Sequence, residues 1–174
     1  MTTLIRTLSL ALLVVAPLSA RAQNTKSQLG VVAQSVLGTR IEITYRRPVA
    51  RGRQLFGALV PWGAVWTPSA DTAARIAISS DVEINGSNLA AGTYSLWTIP
   101  DSSSWTIIFN RTAEAFHRNY PDGRDALRVR ATPVTGSHVE TLMFDFPMVD
   151  ADSARLELRW GTTVVPLLIR ASGR

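Results

Sequence analysis

Residues 153–160, SARLELRW, alternate more strictly between apolar and charged side chains than any other stretch of the chain. The apolar and the charged sets are Ala154, Leu156, Leu158 and Trp160 against Arg155, Glu157 and Arg159. A period of two is typical of a β-strand with one buried face, because successive side chains point to opposite faces. We therefore predict a strand here that packs its apolar face on a hydrophobic core.

Segments of the same kind lie on both sides of this one. Alternating, β-branched or aromatic runs predict further strands over residues 30–37, 40–46, 74–79, 82–84, 93–99, 105–110, 125–131, 138–146 and 164–169. Turn signals separate them, among them Asn85-Gly86 and Gly161-Thr162, because Asn and Gly tolerate positive φ. No stretch has a convincing helical period. The pattern predicts an all-β fold, an antiparallel β-sandwich or jelly roll of about ten short strands.

The inward-facing positions of these strands define a predicted core. Its members are Ile43, Ile76, Ile78, Leu96, Ile107, Phe109, Leu142, Phe144, Leu156, Leu158 and Trp160. The whole chain has 174 residues, a length typical of one domain.

The N-terminus has the features of a secretory signal peptide. A positive charge precedes a short apolar run over residues 8–15, and residues 20–22 (Ala-Arg-Ala) offer the small-x-small pattern of signal-peptidase cleavage. The run is shorter than the roughly 20 residues that a membrane span needs. We expect a signal peptide over residues 1–22, cleavage before Gln23, and a single domain over residues 23–174 without a membrane span. The protein is then exported, to the periplasm or outside the cell.

Charge and composition exclude several classes of function. The net charge is +5 at pH 7, and removal of Arg6 and Arg21 with the signal peptide would leave +3. That excess is too small for a nucleic-acid footprint. The chain has no cysteine, and His117 and His138 are its only histidines. A zinc site requires three or four close ligands, usually His and Cys. We therefore expect no metal and no cofactor.

Residues 45–66, YRRPVARGRQLFGALVPWGAVW, have neither a strand nor a helix period. They belong to a long loop over residues 47–73 that is too apolar to stay disordered and is therefore expected to be ordered. Arginine forks suit carboxylate, phosphate and sulfate groups, and tryptophan offers flat apolar faces. With two aromatic rings from a second irregular segment, residues 111–124, these side chains predict a ligand-binding surface. Its members are Arg47, Arg51, Arg53, Trp62, Trp66, His117 and Tyr120.

The turns of this loop decide where its arginines point. Pro48 fixes φ and Gly52 permits a tight turn, so we expect Arg47 and Arg53 to project beside one of the loop's tryptophans. The alternative is that the tryptophans belong to the core and the arginines pair with acidic residues to brace the loop.

Catalytic signatures are sparse in this sequence. It has no G-x-S-x-G nucleophile elbow, no G-x-x-x-x-G-K-[ST] phosphate loop and no G-x-G-x-x-G. His117 could form an acid/base pair with Asp122 or Asp125. The sequence leaves open whether the protein is an enzyme.

Several motifs in fixed order resemble a known family. They are Tyr45-x-Arg47-Pro48, Gly52-Arg53-x-x-Phe56-Gly57, Leu59-Val60-Pro61-x-Gly63-x-Val65-Trp66, Ala91-Gly92-Thr93-Tyr94 and Trp105-Thr106-x-Ile108-Phe109-Asn110. The chain resembles, over nearly all of its mature length, the secreted bacterial domain-of-unknown-function family 2911. The resemblance implies export and a single domain, and it brings no activity. It also shows one departure: after the last tryptophan of the loop the family continues with Arg and a Gly-Ala-Asn step, where this chain has residues 67–71, Thr-Pro-Ser-Ala-Asp.

Three functions are compatible with these observations. The first is a non-enzymatic binding or accessory module that presents the loop to a small anionic or carbohydrate ligand. The second is a hydrolase-like enzyme that uses His117 with a nearby acid. The third is a structural protein of the cell envelope. No feature of the sequence indicates a protein partner.

Overall fold

The computed structural model describes residues 27–172, so the predicted signal peptide, residues 1–22, lies outside the described residues. Within them the chain forms ten strands and no helix. The strands are β1 Gln28–Val36, β2 Thr39–Arg47, β3 Ala74–Ile78, β4 Val82–Ile84, β5 Ser87–Leu89, β6 Gly92–Ile99, β7 Trp105–Asn110, β8 Asp125–Ala131, β9 Val134–Val149 and β10 Ser153–Ala171. The described part of the chain contains no helix long and apolar enough to cross a membrane.

The strands pair in two antiparallel sheets. Six strands follow the order β1-β2-β3-β6-β7-β8, and four follow the order β5-β4-β10-β9. Two open antiparallel sheets that share one core make a β-sandwich, which confirms the predicted fold class. Strand β2 shows the predicted alternation. Ile41, Ile43 and Tyr45 are buried, and the residues between them are partly or fully exposed.

The core lies between the sheets and contains every residue predicted for it. All eleven predicted core residues are exposed by 5% or less and belong to one continuous cluster of apolar side chains. Burying an aliphatic side chain of this size stabilises the fold by about 1.5–3 kcal/mol relative to leaving it exposed.

The predicted turn at Gly161-Thr162 is wrong, because β10 runs without a break through this point. The register against β9 shifts on both sides of Gly161, which has a φ of 59°. A residue at positive φ within a strand pair forms a β-bulge instead of a turn. A Cβ on Gly161 would lie 3.0 Å from Leu55 Cδ1, so the loop between β2 and β3 packs against the strand at this glycine.

One expectation about strand length is corrected, and one strand was not predicted. Strands β9 and β10 have 16 and 19 residues, so not all strands are short. The three-residue strand β5 follows the turn at Asn85-Gly86 and was not predicted.

The long loop is ordered and contacts both sheets. It spans residues 48–73, because β2 extends to Arg47. Val49 bridges Thr141 of β9, whereas Trp66 bridges Thr98 of β6. The loop therefore joins the two layers of the sandwich, as a segment rich in apolar side chains can.

Candidate functional site

An open cleft with a volume of about 810 Å³ lies beside the long loop. Its aromatic and charged lining comes from that loop, from residues 111–124 and from the sandwich. These residues are Arg51, Arg53, Trp66, Trp97, His117, Arg118, Tyr120 and Trp160. No Asp or Glu is among the described lining residues. Five of the seven residues predicted from the sequence thus line one cleft.

A tight turn presents the arginines of the loop. Arg51 and Gly52 have φ of 52° and 67°, and the Arg53 N–H donates to the Ala50 carbonyl at 3.2 Å. Positive φ at both central residues is the mark of a type I′ turn. The Glu140 carboxylate fixes the turn, because its Oε1 accepts from the Arg51 N–H at 2.5 Å.

Arg53 is anchored to the backbone. Its Nε donates to the Ala50 carbonyl at 2.8 Å, and its Nη2 donates to the Val49 carbonyl at 2.7 Å. Neither bond goes to an acidic side chain, so Arg53 braces the loop through carbonyl groups. Its Nη1 has no hydrogen-bond partner among residues 27–172.

Arg51 and Arg118 present free guanidinium groups. Neither side chain makes a hydrogen bond or an ion pair with any described residue. A guanidinium offers five N–H donors in a planar fork that matches a carboxylate, a phosphate or a sulfate. The cleft therefore concentrates unpaired positive charge.

The aromatic wall of the cleft is continuous with the core. Trp66 stacks on Trp160 with a centroid distance of 6.0 Å and an interplanar angle of 9°. Phe56 and Trp105 meet Trp66 edge to face at 6.0 and 6.5 Å. Backbone hydrogen bonds from Trp66 to Thr98 at 2.8 Å and back at 2.6 Å hold the main chain at this position. These bonds and the ring contacts together position Trp66 in the wall of the cleft.

His117 is fixed by a backbone group. Its Nδ1 lies 2.9 Å from the Asp71 carbonyl oxygen, and its backbone N–H donates to the same oxygen at 3.3 Å. No carboxylate within residues 27–172 makes a hydrogen bond or an ion pair with the imidazole. The expected partners are engaged elsewhere: Asp122 accepts from the Gly123 N–H, and Asp125 is bound by other side chains. The ring thus contributes a polar edge to the cleft without an acid/base partner.

Tyr120, which lines the cleft, is held by a partly buried polar network. Its hydroxyl lies 2.8 and 2.7 Å from the two carboxylate oxygens of Asp125, to which Asn110 also donates at 2.8 Å and Arg128 at 2.6 Å. Burial by itself would raise the pKa of the Asp125 carboxyl, but these hydrogen bonds outweigh it and hold the pKa below its usual range. Burial, and then the adjacent carboxylate, raise the pKa of the Tyr120 hydroxyl. Tyr120 stays protonated and offers the cleft its ring, which packs edge to face on Trp97 at 5.3 Å.

The two remaining predicted residues lie outside this cleft. Arg47 donates from Nε to the Leu142 carbonyl at 3.3 Å, and its side chain crosses β1 where Gly30 has no Cβ. Trp62 lies in a neighbouring cavity, stacked on Phe56 with a centroid distance of 6.1 Å. Arg53 lines both the cleft that contains Trp66 and the cavity that contains Trp62, whereas Arg47 lines neither.

Sequence reasoning missed Arg118, although it directly follows His117 in the irregular segment. It also assigned Trp160 to the core alone, whereas this residue forms part of the aromatic wall of the cleft. A search for arginines outside the long loop would have found Arg118.

The segment in which the chain departs from the pattern of the family that it resembles supports the loop. Thr67 is fully buried; its hydroxyl donates to the Leu96 carbonyl at 2.7 Å and accepts from the Ala74 N–H at 3.0 Å. Asp71 has a φ of 65°, a conformation that Asn and Asp adopt more readily than other L-residues. Asp71 can therefore take the backbone position where the family has Asn.

The described residues contain no group of three or more His, Cys, Asp or Glu side chains that could hold a metal ion.

Comparison with protein families matches residues 27–169 to a family described as a protein of unknown function, DUF2911. No curated protein and no solved structure matches the chain. The match covers most of the 174 residues and confirms the resemblance carried by the sequence motifs. The chain therefore belongs to the protein family of unknown function DUF2911.

Proposed function

We propose that this protein is an exported, non-enzymatic binding module that holds a small anionic ligand in the cleft. The observation that carries the proposal is the charge of the lining: Arg51, Arg53 and Arg118 converge on one cavity without an acidic side chain among the described lining residues. Like charges repel in a confined space, so an anion that bridges them is favoured. A bidentate arginine–anion pair is also among the stronger hydrogen-bonded contacts in proteins.

The shape of the cleft supports the same ligand. Its volume of about 810 Å³ lies within the roughly 300–1,000 Å³ of small-molecule sites. Trp66 is partly buried and lines the cleft, so it provides apolar surface for the uncharged part of such a ligand. A wholly neutral sugar would leave the guanidinium groups uncompensated, so we favour an anionic ligand over a neutral carbohydrate. The hydrolase alternative is less well supported, because His117 has no acidic partner among the described residues.

A thermal-shift titration tests the proposal. We expect phosphate, sulfate or a small carboxylate to raise Tm in a concentration-dependent way, because a ligand that binds only the folded state stabilises it. Neutral sugars should have little effect. Arg118→Ala should weaken anion binding by about tenfold or more, since a hydrogen bond to a charged group contributes roughly 1.5–3 kcal/mol.

Arg124→Ala is the matched control. Arg124 is also exposed, lies outside the cleft and makes no side-chain hydrogen bond with a described residue, so its removal changes the net charge equally. Equal losses of anion binding in both variants would show that the effect comes from net charge and not from a contact with Arg118. The absence of any anion-dependent rise in Tm would contradict the proposal.

Export is a separate part of the proposal and has its own test. It rests on the apolar run over residues 8–15 and on the cleavage pattern before Gln23. Mass spectrometry of protein recovered from the periplasm or the medium should find a chain that begins at Gln23. A chain that retains residues 1–22 would refute cleavage at this site.

A further inference from the structure

A second cavity with a volume of about 440 Å³ adjoins the cleft. The two cavities share Arg53 and Trp160 in their linings. The two residues whose carbonyls accept from Arg53 line different cavities. Val49 lines the cleft, and Ala50 lines the second cavity. Arg53 therefore stands at the boundary, and a ligand longer than one small ring can occupy both sides of it.

Trp62 gives the second cavity a fixed and accessible aromatic face. The residue is 47% exposed, yet its ring stacks on Phe56 at an interplanar angle of 28°. Gly57 has no side chain at the point where a Cβ would lie 2.5 Å from the Trp62 Nε1. The loop is thus shaped to hold an indole that remains half open to solvent. A rigid aromatic face of this kind stacks on the C–H face of a sugar ring with little loss of conformational entropy.

The charges of the second cavity differ from those of the cleft. Glu140 lies in it beside His138, with 3.2 Å between the carboxylate Oε2 and the imidazole Nε2. The Arg51 N–H, and then His138, hold the pKa of the Glu140 carboxyl below its usual range, so the group is ionised at neutral pH. An anion is disfavoured beside this carboxylate. The Glu140 carboxylate offers acceptors, and the hydroxyls of Thr162 and Thr163 offer both donors and acceptors, for the uncharged hydroxyl groups of a sugar.

From these observations we infer that the ligand is an acidic oligosaccharide of at least two sugar residues. Its acidic group lies in the cleft against Arg51 and Arg118, its neighbouring neutral sugar stacks on Trp62, and Arg53 lies between the two. The inference rests on the proposed anion-binding function and specifies the class of ligand.

A matched set of sugars tests the inference. The probes are glucuronic acid, glucose 6-phosphate and glucose 6-sulfate, each free and linked to one neutral glucose residue, with an uncharged disaccharide for comparison. Titration calorimetry on the wild-type protein should show that at least one of the acidic sugars binds about tenfold tighter when it is linked to glucose than when it is free. This gain is equivalent to roughly 1.4 kcal/mol. Trp62→Ala should abolish this gain and leave binding of the free acidic sugar unchanged. Trp62→Phe, which keeps an aromatic face, should retain part of the gain.

Controls separate binding from folding. Met148→Ala removes another apolar side chain that is 47% exposed and lies outside both cavities, and it should bind every probe as the wild type does. Thermal melts of all variants verify that they are folded.

The possible failures are distinguishable. Equal binding of the free and linked acidic sugars would overturn the inference and leave the anion-binding cleft standing. Binding of the uncharged disaccharide as tight as that of the acidic ones would overturn the assignment of an acidic ligand. No binding of any anion, simple or sugar-borne, would overturn both proposals.

Discussion

Arg53→Lys separates the structural role of the long loop from its role in binding. In the structure Arg53 makes two hydrogen bonds to carbonyl groups, at 2.8 Å to Ala50 and at 2.7 Å to Val49. Lysine keeps the positive charge, but a single ammonium group at the end of a flexible chain does not reproduce this fixed fork. At least one of the two bonds should be lost.

The expected cost follows from these contacts. A hydrogen bond to a charged group contributes about 1.5–3 kcal/mol when buried. Arg53 is exposed, so water replaces part of the lost interaction, and we expect a loss of roughly 1–2 kcal/mol. For a domain of this size such a loss lowers Tm by roughly 2–8 °C. Binding of anions should weaken as well, because the guanidinium lines the cleft.

Denaturant and thermal melts measure the effect, with Arg118→Lys as the matched control. Arg118 lines the same cleft but makes no hydrogen bond with a described residue, so its replacement should change stability by less than about 0.5 kcal/mol. Only anion binding should weaken in that variant. If Arg53→Lys melts like the wild type, the carbonyl bonds do not brace the loop. If both variants lose the same stability, the loss comes from the chemistry of lysine and not from these bonds.

Three further changes probe the core, the aromatic loop and the polar network. Leu158→Ala should cost about 2–5 kcal/mol in denaturant melts, because the residue is 5% exposed and the void beside it has only about 10 Å³; a cost under about 0.5 kcal/mol would place the side chain at the surface. Gly57→Ala should lower Tm more than Gly63→Ala, since both glycines have positive φ (83° and 72°) but only the first would bring a Cβ against Trp62; equal effects would mean that backbone strain alone matters. Asp125→Asn should be less stable than the wild type at neutral pH, and the difference should shrink as pH falls, because a carboxyl whose pKa is lowered by folding contributes stability that is lost when it is protonated; a difference independent of pH in acid would show that the charge does not contribute.

The strand positions and the core could be predicted because they depend on a local pattern. Alternation with a period of two fixes which face of a strand is apolar, whatever its neighbours are. Leu156, Leu158 and Trp160 show this, since all three are buried where the alternation of β10 places them. Local signals failed where a turn and a bulge have the same composition. Gly161-Thr162 has the composition of a turn but forms a bulge, at a glycine against which Leu55 of the distant loop packs.

The site depended on tertiary structure for a different reason. The sequence indicated that the arginines and aromatic residues of the loop belong to a binding surface, because their chemistry is visible in it. Which of them face one cleft depends on which strands the loop crosses. Arg47 ends β2 and donates to the Leu142 carbonyl, whereas Arg53 follows a turn anchored on Glu140. Arg118 joins the cleft from another irregular segment, brought there through the contact of His117 with Asp71. The sequence alone determined the fold class and the core, because burial periodicity is a property of each strand by itself. Only the tertiary structure decided the cleft, because convergence of side chains is set by pairings between strands and loops far apart in the chain.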